Sequence, residues 1–394
     1  MKILLLAPHP FYQERGTPIA VDLLLRILSD RGDAVDVLTF HEGEHRSYKG
    51  VTIHRTPRFS WIKNVPPGFS LKKIICDIFL FIKALRLAAR NNYQIVHAVE
   101  EAVFVALIIR FIFRTPYIFD MDSSMPMQMI EQTPVLSVVA PALKFFESWA
   151  ARKAFAVVAV CETLAEIARG GGARQVFVLR DISLLRHKSS GYALPAAGAE
   201  KEELLLNVEK PCLMYIGNLE LYQGIDLLLE SFAILCKSMP KAFLAIIGGN
   251  DGSIKKYQQK SLELGIASRA RFFGPRPLSC MAQMFAHADI LVSPRIKGIN
   301  TPMKIYSYLQ SGKPIVATDL PTHTQVLDRT TAMLADPTPE QFAAAMLILL
   351  ENPVLGRQLA ERSAALAEEK YSLKAYTDTV NKIYNWVADS IQSR

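Results

Sequence analysis

The chain has 394 residues and a mass of 44.0 kDa, a length that corresponds to two or three domains. Half of its residues are apolar and 21% are charged, which excludes a globally disordered protein. The net charge of +8 suggests an anionic partner but does not say which. The five cysteines are odd in number and widely spaced, so we expect a reducing cytosol and no metal site.

Short apolar runs alternate with longer amphipathic segments along the chain, which is the pattern of a doubly wound α/β protein. The first run, 2–7, is too short for the core of a signal peptide and is predicted to be a buried strand. The other strands predicted in the first half are 34–39, 95–98, 117–119, 156–160 and 176–179. No uncharged apolar stretch reaches the ~20 residues that span a bilayer. We therefore expect a soluble or membrane-surface protein.

The strand pattern restarts in the second half, which predicts a second sheet. Its strands are predicted at 212–216, 243–247, 270–273, 290–292 and 315–317. Segment 187–208 is rich in small and polar residues, mostly without periodicity, and is predicted to be a linker. It separates an acceptor-binding domain, 1–186, from a donor-binding domain, 209–371. The amphipathic segment 372–394 is predicted to be a helix that crosses back to the first domain.

Positive charge is concentrated in segment 46–90, which has ten basic residues and one acid, so the rest of the chain sums to −1. On a helical projection, Lys72, Lys83, Arg86 and Arg90 fall within about 60° of one another. The opposite side carries apolar residues: Leu71, Ile74, Ile78, Phe81, Ile82 and Leu85. The sequence thus predicts a basic amphipathic helix.

This helix is interpreted as a contact with an anionic membrane surface, since each cation near such a surface contributes about 1 kcal/mol. Trp61 and Phe59, beside Pro66 and Pro67, are candidate interfacial anchors. An ordinary surface helix with its apolar side on the sheet is the alternative. A nucleic-acid partner is not expected, because no RNA- or DNA-binding signature accompanies the charge.

Segment 293–314 reads SPRIKGINTPMKIYSYLQSGKP and contains signals for a helix. Thr301 is predicted to be the N-cap and Pro302 the first helical residue, while Gly312 and Pro314 end the helix. The N-terminus of a helix that follows a strand favours a phosphate group, and Lys304 adds a full positive charge there. A well-capped structural helix is the alternative.

The second half resembles the nucleotide-sugar-binding domain of GT-B glycosyltransferases, specifically the retaining family 4 enzymes (glycosyl transferases group 1). The matching text lies in segments 215–232, 246–249, 271–295 and 300–321, which begin YIGNLELYQG, IIGG, RFFGPRPLSC and NTPMKIYSYL. Segment 14–40, which begins ERGTPIAVDL, is similar to the first glycine turn, first helix and second strand of that family. The resemblance implies two Rossmann-like doubly wound domains that face each other across a cleft, with a C-terminal helix returning to the first domain.

Four family positions differ in this chain. The family commonly has Arg and Lys, both on the donor diphosphate, where this chain has Asn218 and Gln223. It often has two glutamates eight positions apart, where this chain has Ile299 and Ser307. The departures mean either an inactive enzyme or a subgroup that binds the same phosphate and ribose by other residues. We favour the subgroup, because the glycine turns and the cation of Lys304 remain.

In that subgroup hypothesis, the backbone of Asn300 and Thr301 holds phosphate together with Lys304, and Ser307 bonds the ribose. Lys304 is also taken as catalytic, because it stabilises the departing diphosphate. The full set of donor-binding residues implied by the resemblance is Gly16, Thr17, Gly217, Asn218, Gln223, Asn300, Thr301, Pro302 and Ser307. A tight turn alone is the alternative for Gly16 and Thr17.

Candidate acceptor residues follow strands of the first half. Glu100 and Glu101 could bind sugar hydroxyls or simply begin a helix, and His9 follows the first strand. The pair Asp120-x-Asp122 could bind a divalent metal, as in the other major glycosyltransferase fold, or cap a loop. We assign Asp122 to orienting the acceptor hydroxyl or to stabilising positive charge at the anomeric carbon.

The expected function is therefore a retaining, metal-independent glycosyltransferase without a cofactor. It would use a nucleotide-diphosphate sugar and a membrane-associated glycan or lipid acceptor, in the cytoplasm on the inner face of the membrane. One alternative is a non-catalytic GT-B-like protein that binds a sugar nucleotide or a partner. Another is a sugar-nucleotide epimerase or dehydrogenase, although no GxGxxG follows a first strand.

Overall fold

The structure, a computed structural model, describes residues 1–58, 61–65, 70–132, 138–185 and 209–393. The chain forms two compact units: unit 1 is Met1–Arg180 with Tyr376–Arg394, and unit 2 is Asp181–Ala375. The predicted linker 187–208, Phe59, Pro66 and Pro67 lie outside the described residues.

Unit 1 is built on a parallel sheet of seven strands in the order β3-β2-β1-β4-β5-β6-β7. The strands are β1 (Lys2–Ala7), β2 (Ala34–Thr39), β3 (Val51–Arg55), β4 (Ile95–Val99), β5 (Tyr117–Met121), β6 (Ala156–Ala159) and β7 (Val176–Val178). Its helices are α1 (Gly16–Asp30), α2 (Leu71–Arg90), α3 (Ala102–Phe113), α4 (Met125–Gln132), α5 (Ala140–Lys153) and α6 (Glu162–Gly170). All six strands predicted in this half are confirmed. The sequence analysis missed β3, a partly exposed edge strand in which three of the five residues are polar.

Unit 2 has a second parallel sheet, of six strands in the order β10-β9-β8-β11-β12-β13. The strands are β8 (Cys212–Ile216), β9 (Phe243–Ile247), β10 (Ala270–Gly274), β11 (Ile290–Ser293), β12 (Ile315–Thr318) and β13 (Met333–Ala335). Its helices are α7 (Ile225–Ser238), α8 (Asp251–Glu263), α9 (Met281–His287), α10 (Lys304–Gln310), α11 (Pro321–Thr324), α12 (Pro339–Glu351) and α13 (Pro353–Lys370). The five predicted strands are confirmed, and the three-residue β13 is the one that was missed.

Both sheets are doubly wound, so each has one place where the strand order reverses. This switch point lies between β1 and β4 in unit 1 and between β8 and β11 in unit 2. In open α/β sheets, the crevice beyond the carboxyl ends of these strands is where ligands bind. The fold therefore marks one candidate binding region in each unit.

The C-terminal helix α14 (Leu373–Gln392) packs on unit 1, as predicted. Its Tyr384 donates a hydrogen bond of 2.9 Å to Nδ1 of the buried His97 on β4. Nε2 of His97 in turn donates to the Asp120 carboxylate at 2.9 Å. Trp386 adds apolar contact, with its ring 5.3 Å from Phe155. These contacts tie α14 to the sheet and give His97 a structural role.

Helix α2 is present as predicted, but it buries a different side. Cys76, Leu80 and Ala84 face the interior, whereas Leu71 and Ile78 are 73% and 52% exposed. The alternative that the predicted apolar side packs on the sheet is therefore wrong. Two of the three inward-facing side chains, Cys76 and Ala84, are small, which allows close packing on that side of the helix. None of the described helices is long and apolar enough to cross a membrane.

Candidate functional site

The turn after β8 begins the candidate site of unit 2. Gly217 has φ +153°, and a Cβ there would lie 2.9 Å from the hydroxyl of Tyr215 and 3.3 Å from Nζ of Lys304. Gly217 therefore keeps this turn open beside the Lys304 ammonium. Both residues were assigned to the donor site from the sequence, and the structure places them side by side.

Lys304 lies at the start of α10, and its ammonium group is held by neutral partners. Nζ donates to Oε1 of the buried Gln223 at 3.1 Å and lies 3.9 Å from the centre of the Tyr215 ring. Burial, and then the positive charge of Arg295, lower the pKa of Lys304 well below its usual value. Among the described residues, no carboxylate forms an ion pair with it. A cation in such surroundings is stabilised by an anionic ligand.

Arg295 is a second cation at this site, and the sequence analysis gave it no role. It comes two residues after β11, and it is 7% exposed. Its Nε donates to the carbonyl of Lys297 at 2.7 Å, and Nη2 donates to Oδ1 of Asn300 at 2.9 Å. Its guanidinium lies 5.2 Å from the centre of the Tyr222 ring. The signal that could have found Arg295 is its position just past a switch-point strand.

His323 on α11 is fully buried and lies against the last residues of β11 and β12. Its Nε2 is 2.8 Å from the hydroxyl of Ser293, and its Nδ1 is 3.0 Å from that of Thr318. Burial, and then the charge of Lys304, lower the pKa of His323 to about 3. The imidazole is therefore neutral at pH 7 and adds no positive charge to this site.

The predicted start of α10 is wrong. The helix begins at Lys304, with Met303 in the N-cap position, and not at Thr301 and Pro302. Thr301 is buried, and its hydroxyl has no hydrogen-bond partner among the described residues. The N–H of Ile305 already donates to Pro302, so this seven-residue helix offers fewer free amides than the sequence suggested.

Ser307 also differs from its predicted role. It is fully buried, and its hydroxyl accepts the N–H of Leu184 at 3.0 Å. This contact directs Ser307 into the interior of unit 2, so its position does not support bonding to a ribose. Asn218, by contrast, is exposed and donates to the hydroxyl of Tyr222 at 3.2 Å.

The candidate site of unit 1 surrounds the carboxyl ends of β1 and β4. Nδ1 of His9 donates to the Pro10 carbonyl at 3.0 Å, while Nε2 is buried without a hydrogen-bond partner among the described residues. Burial, with smaller contributions from Lys73 and Arg15, lowers the pKa of His9 to about 4. At pH 7 the ring is neutral, and the Nε2 lone pair can accept a hydrogen bond.

Glu100 follows β4 with φ +50°, a backbone conformation that residues other than glycine seldom adopt. Its carboxylate accepts the hydroxyl of Ser123 at 3.1 Å, and burial raises its pKa. The neighbouring Glu101 forms an ion pair with Lys73. Glu100, Glu101, Ser123 and the buried Glu147 are among the residues that line one pocket, and the sequence analysis found neither Ser123 nor Glu147.

The two aspartates at the carboxyl end of β5 have different surroundings. Asp120 accepts from His97, as described above, so its carboxylate belongs to the contact with α14. Asp122 is partly buried and follows β5, one turn before α4. Among the described residues, no cluster of three or more His, Cys, Asp or Glu side chains could hold a metal ion.

Gly16, the first residue of α1, has space in front of it. Gly16 is exposed, has an ordinary φ, and a Cβ built on it meets no atom within 4 Å. Thr17 is partly buried beside it. The tight-turn explanation for Gly16 is therefore wrong, because nothing in the fold requires a glycine there.

Two family sequence models match the chain. The model of glycosyl transferases group 1 matches residues 197–370, and that of the glycosyl transferase 4-like domain matches residues 15–180. Together they account for most of both units. The chain belongs to the GT-B glycosyltransferases of group 1.

Relatives of this glycosyltransferase agree with that assignment. It is 26% identical over 291 residues to alpha-D-kanosaminyltransferase of Streptomyces kanamyceticus, a match that covers 72% of this chain and 74% of the relative. Sucrose-phosphate synthase from Thermosynechococcus elongatus has a similar structure, with a TM-score of 0.81, 17% identity and 99% of each chain covered. The Anabaena protein HepE, solved with UDP-glucose, gives a TM-score of 0.72 and 18% identity, with 98% of this chain and 99% of HepE covered.

Proposed function

We propose that this glycosyltransferase moves a sugar from a nucleotide-diphosphate donor to a membrane-associated glycan or lipid acceptor, with retention of the anomeric configuration. The observation that carries the proposal is the pair of cations, Lys304 and Arg295, beyond the switch-point strands of unit 2. Two positive side chains beside an open glycine turn suit a diphosphate. The similar structure of HepE with UDP-glucose supports the same class of donor.

The cation at this site is carried by a different position of the chain than in the family pattern. Members of the family commonly place a lysine at the position of Gln223, and here the ammonium of Lys304 lies 3.1 Å from the Gln223 side-chain oxygen. The charge thus occupies nearly the same place, although it is attached to another helix. This supports an active subgroup over a site that has lost its function.

Retention is taken from the family resemblance, in which front-face displacement is the expected mechanism. The bond from the anomeric carbon to the donor diphosphate breaks, and the bond to the acceptor oxygen forms on the same face. The hydroxyl proton passes to the leaving diphosphate. Lys304 and Arg295 would stabilise the negative charge that develops on that group, so they act where the transition state differs from the ground state. For this reason we expect no metal requirement.

Acceptor hydroxyls are assigned to the pocket and turn of unit 1. His9 presents a neutral acceptor nitrogen, while Glu100 and Glu101 present carboxylates beside Ser123. Mixed acceptors and donors of this kind bind sugar hydroxyls. Asp122 is proposed to orient the reacting hydroxyl.

The membrane part of the proposal rests on α2. Arg86 and Arg90 are exposed on it, as is Lys72, whose ammonium donates to the Lys63 carbonyl at 2.8 Å. Lys83 is more committed to the fold, because it donates to the Arg55 carbonyl at 2.7 Å and burial lowers its pKa. We therefore expect Lys72, Arg86 and Arg90 to contribute most to contact with the inner face of an anionic membrane from the cytoplasm.

The proposal is tested by incubating the protein with a panel of nucleotide sugars and a membrane lipid extract, followed by mass spectrometry of the products. We expect one product heavier than its acceptor by one glycosyl unit, formed equally well in EDTA and lost in Lys304→Ala. Loss of turnover in EDTA that manganese or magnesium restores would overturn metal independence. Nucleotide binding without turnover against any acceptor would favour the non-catalytic alternative, which the burial of Ser307 at a family glutamate position motivates.

A further inference from the structure

The outer sides of α3 and α5 carry an unusual number of exposed apolar side chains. The large exposed apolar residues of α3 include Ile108, Phe111 and Ile112, and those of α5 are Phe145, Phe146 and Trp149. Phe111 is 89% exposed and Phe145 is 65% exposed. These six residues are called the apolar patch below. Soluble monomers seldom expose a contiguous group of large apolar side chains unless it binds something.

The composition of α3 makes this exposure anomalous. Arg110 is the only charged residue between Ala102 and Phe113, so the helix is apolar all round. A helix of that kind is normally buried on every side. In α5 the exposed Phe145 and Trp149 are four residues apart and share one side of the helix. The described residues of unit 1 leave both outer sides uncovered.

The two outer sides form one surface. Helices α2, α3 and α5 lie side by side, and the guanidinium of Arg110 donates to the carbonyl of Lys153 at the end of α5. All three helices run antiparallel to the strands they connect. Their C-terminal ends therefore lie together beside the N-terminal ends of the strands, and this end of the helix layer is called the edge below.

That edge is basic. The cations near the C-terminal ends of the three helices are Arg86, Arg90, Arg110, Arg114, Arg152 and Lys153. The only acid within α3 or α5 is Glu147, which is buried and bonded to Ser124. Favourable interaction with helix dipoles accounts for a cation at the end of each helix, but it does not account for exposed aromatic rings beside them.

We infer that the apolar patch inserts into the headgroup boundary of an anionic bilayer, with the basic edge on the lipid phosphates. Exposed Phe and Trp beside Arg and Lys, without acids, are complementary to a surface that is apolar inside and negatively charged outside. The inference deepens the membrane part of the proposed function, since it adds an inserted surface to the cations of α2. It does not depend on the transfer reaction.

The test is binding of the full chain to vesicles of phosphatidylcholine, alone or mixed with phosphatidylglycerol, at low and high salt. The Phe111→Ser/Phe145→Ser variant should bind the mixed vesicles about tenfold or more weakly than wild type, and should lose the binding that survives high salt. Leu262→Ser is the matched control, because Leu262 is 63% exposed on α8 of unit 2. It should bind like wild type.

The depth to which the apolar patch inserts into the bilayer is measured by the quenching of tryptophan fluorescence by brominated phosphatidylcholine. Trp149→Phe should remove a large part of the quenching, whereas replacing Trp386, which packs on Phe155 and Phe177, should not. Equal vesicle binding by wild type and Phe111→Ser/Phe145→Ser, or unchanged quenching in Trp149→Phe, would overturn the inference. A wild-type dimer that this double variant converts to monomer, with no vesicle binding, would assign the patch to a second copy instead. If the protein bound vesicles as expected but transferred no sugar, the proposed function would fail and this inference would stand.

Discussion

The ammonium of Lys304 lies 3.1 Å from the side-chain oxygen of Gln223, although 81 residues separate them in the chain. The resemblance implies a lysine at the position of Gln223, whereas in this chain Lys304 brings an ammonium group to the Gln223 side chain. Because the two side chains meet at one point in space, the position of the charge matters more than the residue that supplies it.

This relationship predicts the outcome of a charge exchange. Lys304→Gln should weaken nucleotide-diphosphate binding about 10- to 100-fold, the usual loss for a buried hydrogen bond to a charged group. The double variant Gln223→Lys/Lys304→Gln should recover part of that loss. Isothermal titration calorimetry with UDP and GDP measures the affinity of both variants. Lys297→Ala is the control, because Lys297 is exposed in the same loop, and equal binding by Lys304→Gln and wild type would exclude Lys304 from the donor site.

Donor binding should also be linked to proton uptake. Burial and Arg295 lower the pKa of Lys304, and a bound diphosphate would raise it again, so the complex should bind more protons than the free protein. Affinity should then fall as pH rises through the lowered pKa. Titration calorimetry in buffers of different ionisation enthalpy gives the number of protons taken up. Lys304→Met should abolish the uptake, and unchanged uptake in that variant would assign it to another group.

Two glycines should respond in opposite ways to alanine substitution. A Cβ at Gly16 meets no atom within 4 Å, so Gly16→Ala should fold with unchanged stability and lose activity only if substrate approaches that backbone. Gly224 has φ +72°, and its Cβ would overlap the carbonyl oxygen of Pro294. Gly224→Ala should therefore destabilise unit 2 by about 2 kcal/mol or more.

Thermal unfolding compares the two variants, and steady-state kinetics then follow for those that fold. A Gly16→Ala protein with normal stability and full activity would show that no substrate contacts this turn. A Gly224→Ala protein as stable as wild type would show that the loop after β11 can move away from α7.

The strands were predictable because buried parallel strands are short apolar runs, and all eleven predicted runs are strands. β3 and β13 were missed, since the first alternates with polar residues at a sheet edge and the second has only three residues. Local periodicity carries no information on which residues such a strand pairs with.

The candidate site was only partly predictable. Gly217 and Lys304 lie together because both belong to local motifs at strand ends. The start of α10 was misjudged, since Thr301 and Pro302 are strong helix-start residues whose preference the tertiary packing overrides. The burial of Ser307 depends on a contact with Leu184, 123 residues away in the chain, which no local pattern contains.

His323 predicts how unit 2 responds to acid. Its pKa is lowered from 6.5 to about 3 in the folded protein, so the unfolded chain binds the additional proton between these values. The stability that comes from keeping His323 neutral is fully present above pH 6.5 and is lost as pH falls towards about 3. Each unit of pH in this window should cost about 1.4 kcal/mol for this one group.

The slope of stability against pH distinguishes the titration of His323 from the effect of its hydrogen bonds to Ser293 and Thr318. His323→Gln should lower stability at pH 7, because those hydroxyls lose a partner, but it should flatten the decline between pH 6.5 and 4. Tryptophan fluorescence reports only on unit 1, since Trp61, Trp149 and Trp386 all belong to it. Hydrogen exchange at the amides of β11 and β12 therefore provides the measurement for unit 2. A decline as steep in His323→Gln as in wild type would assign the acid sensitivity to other groups.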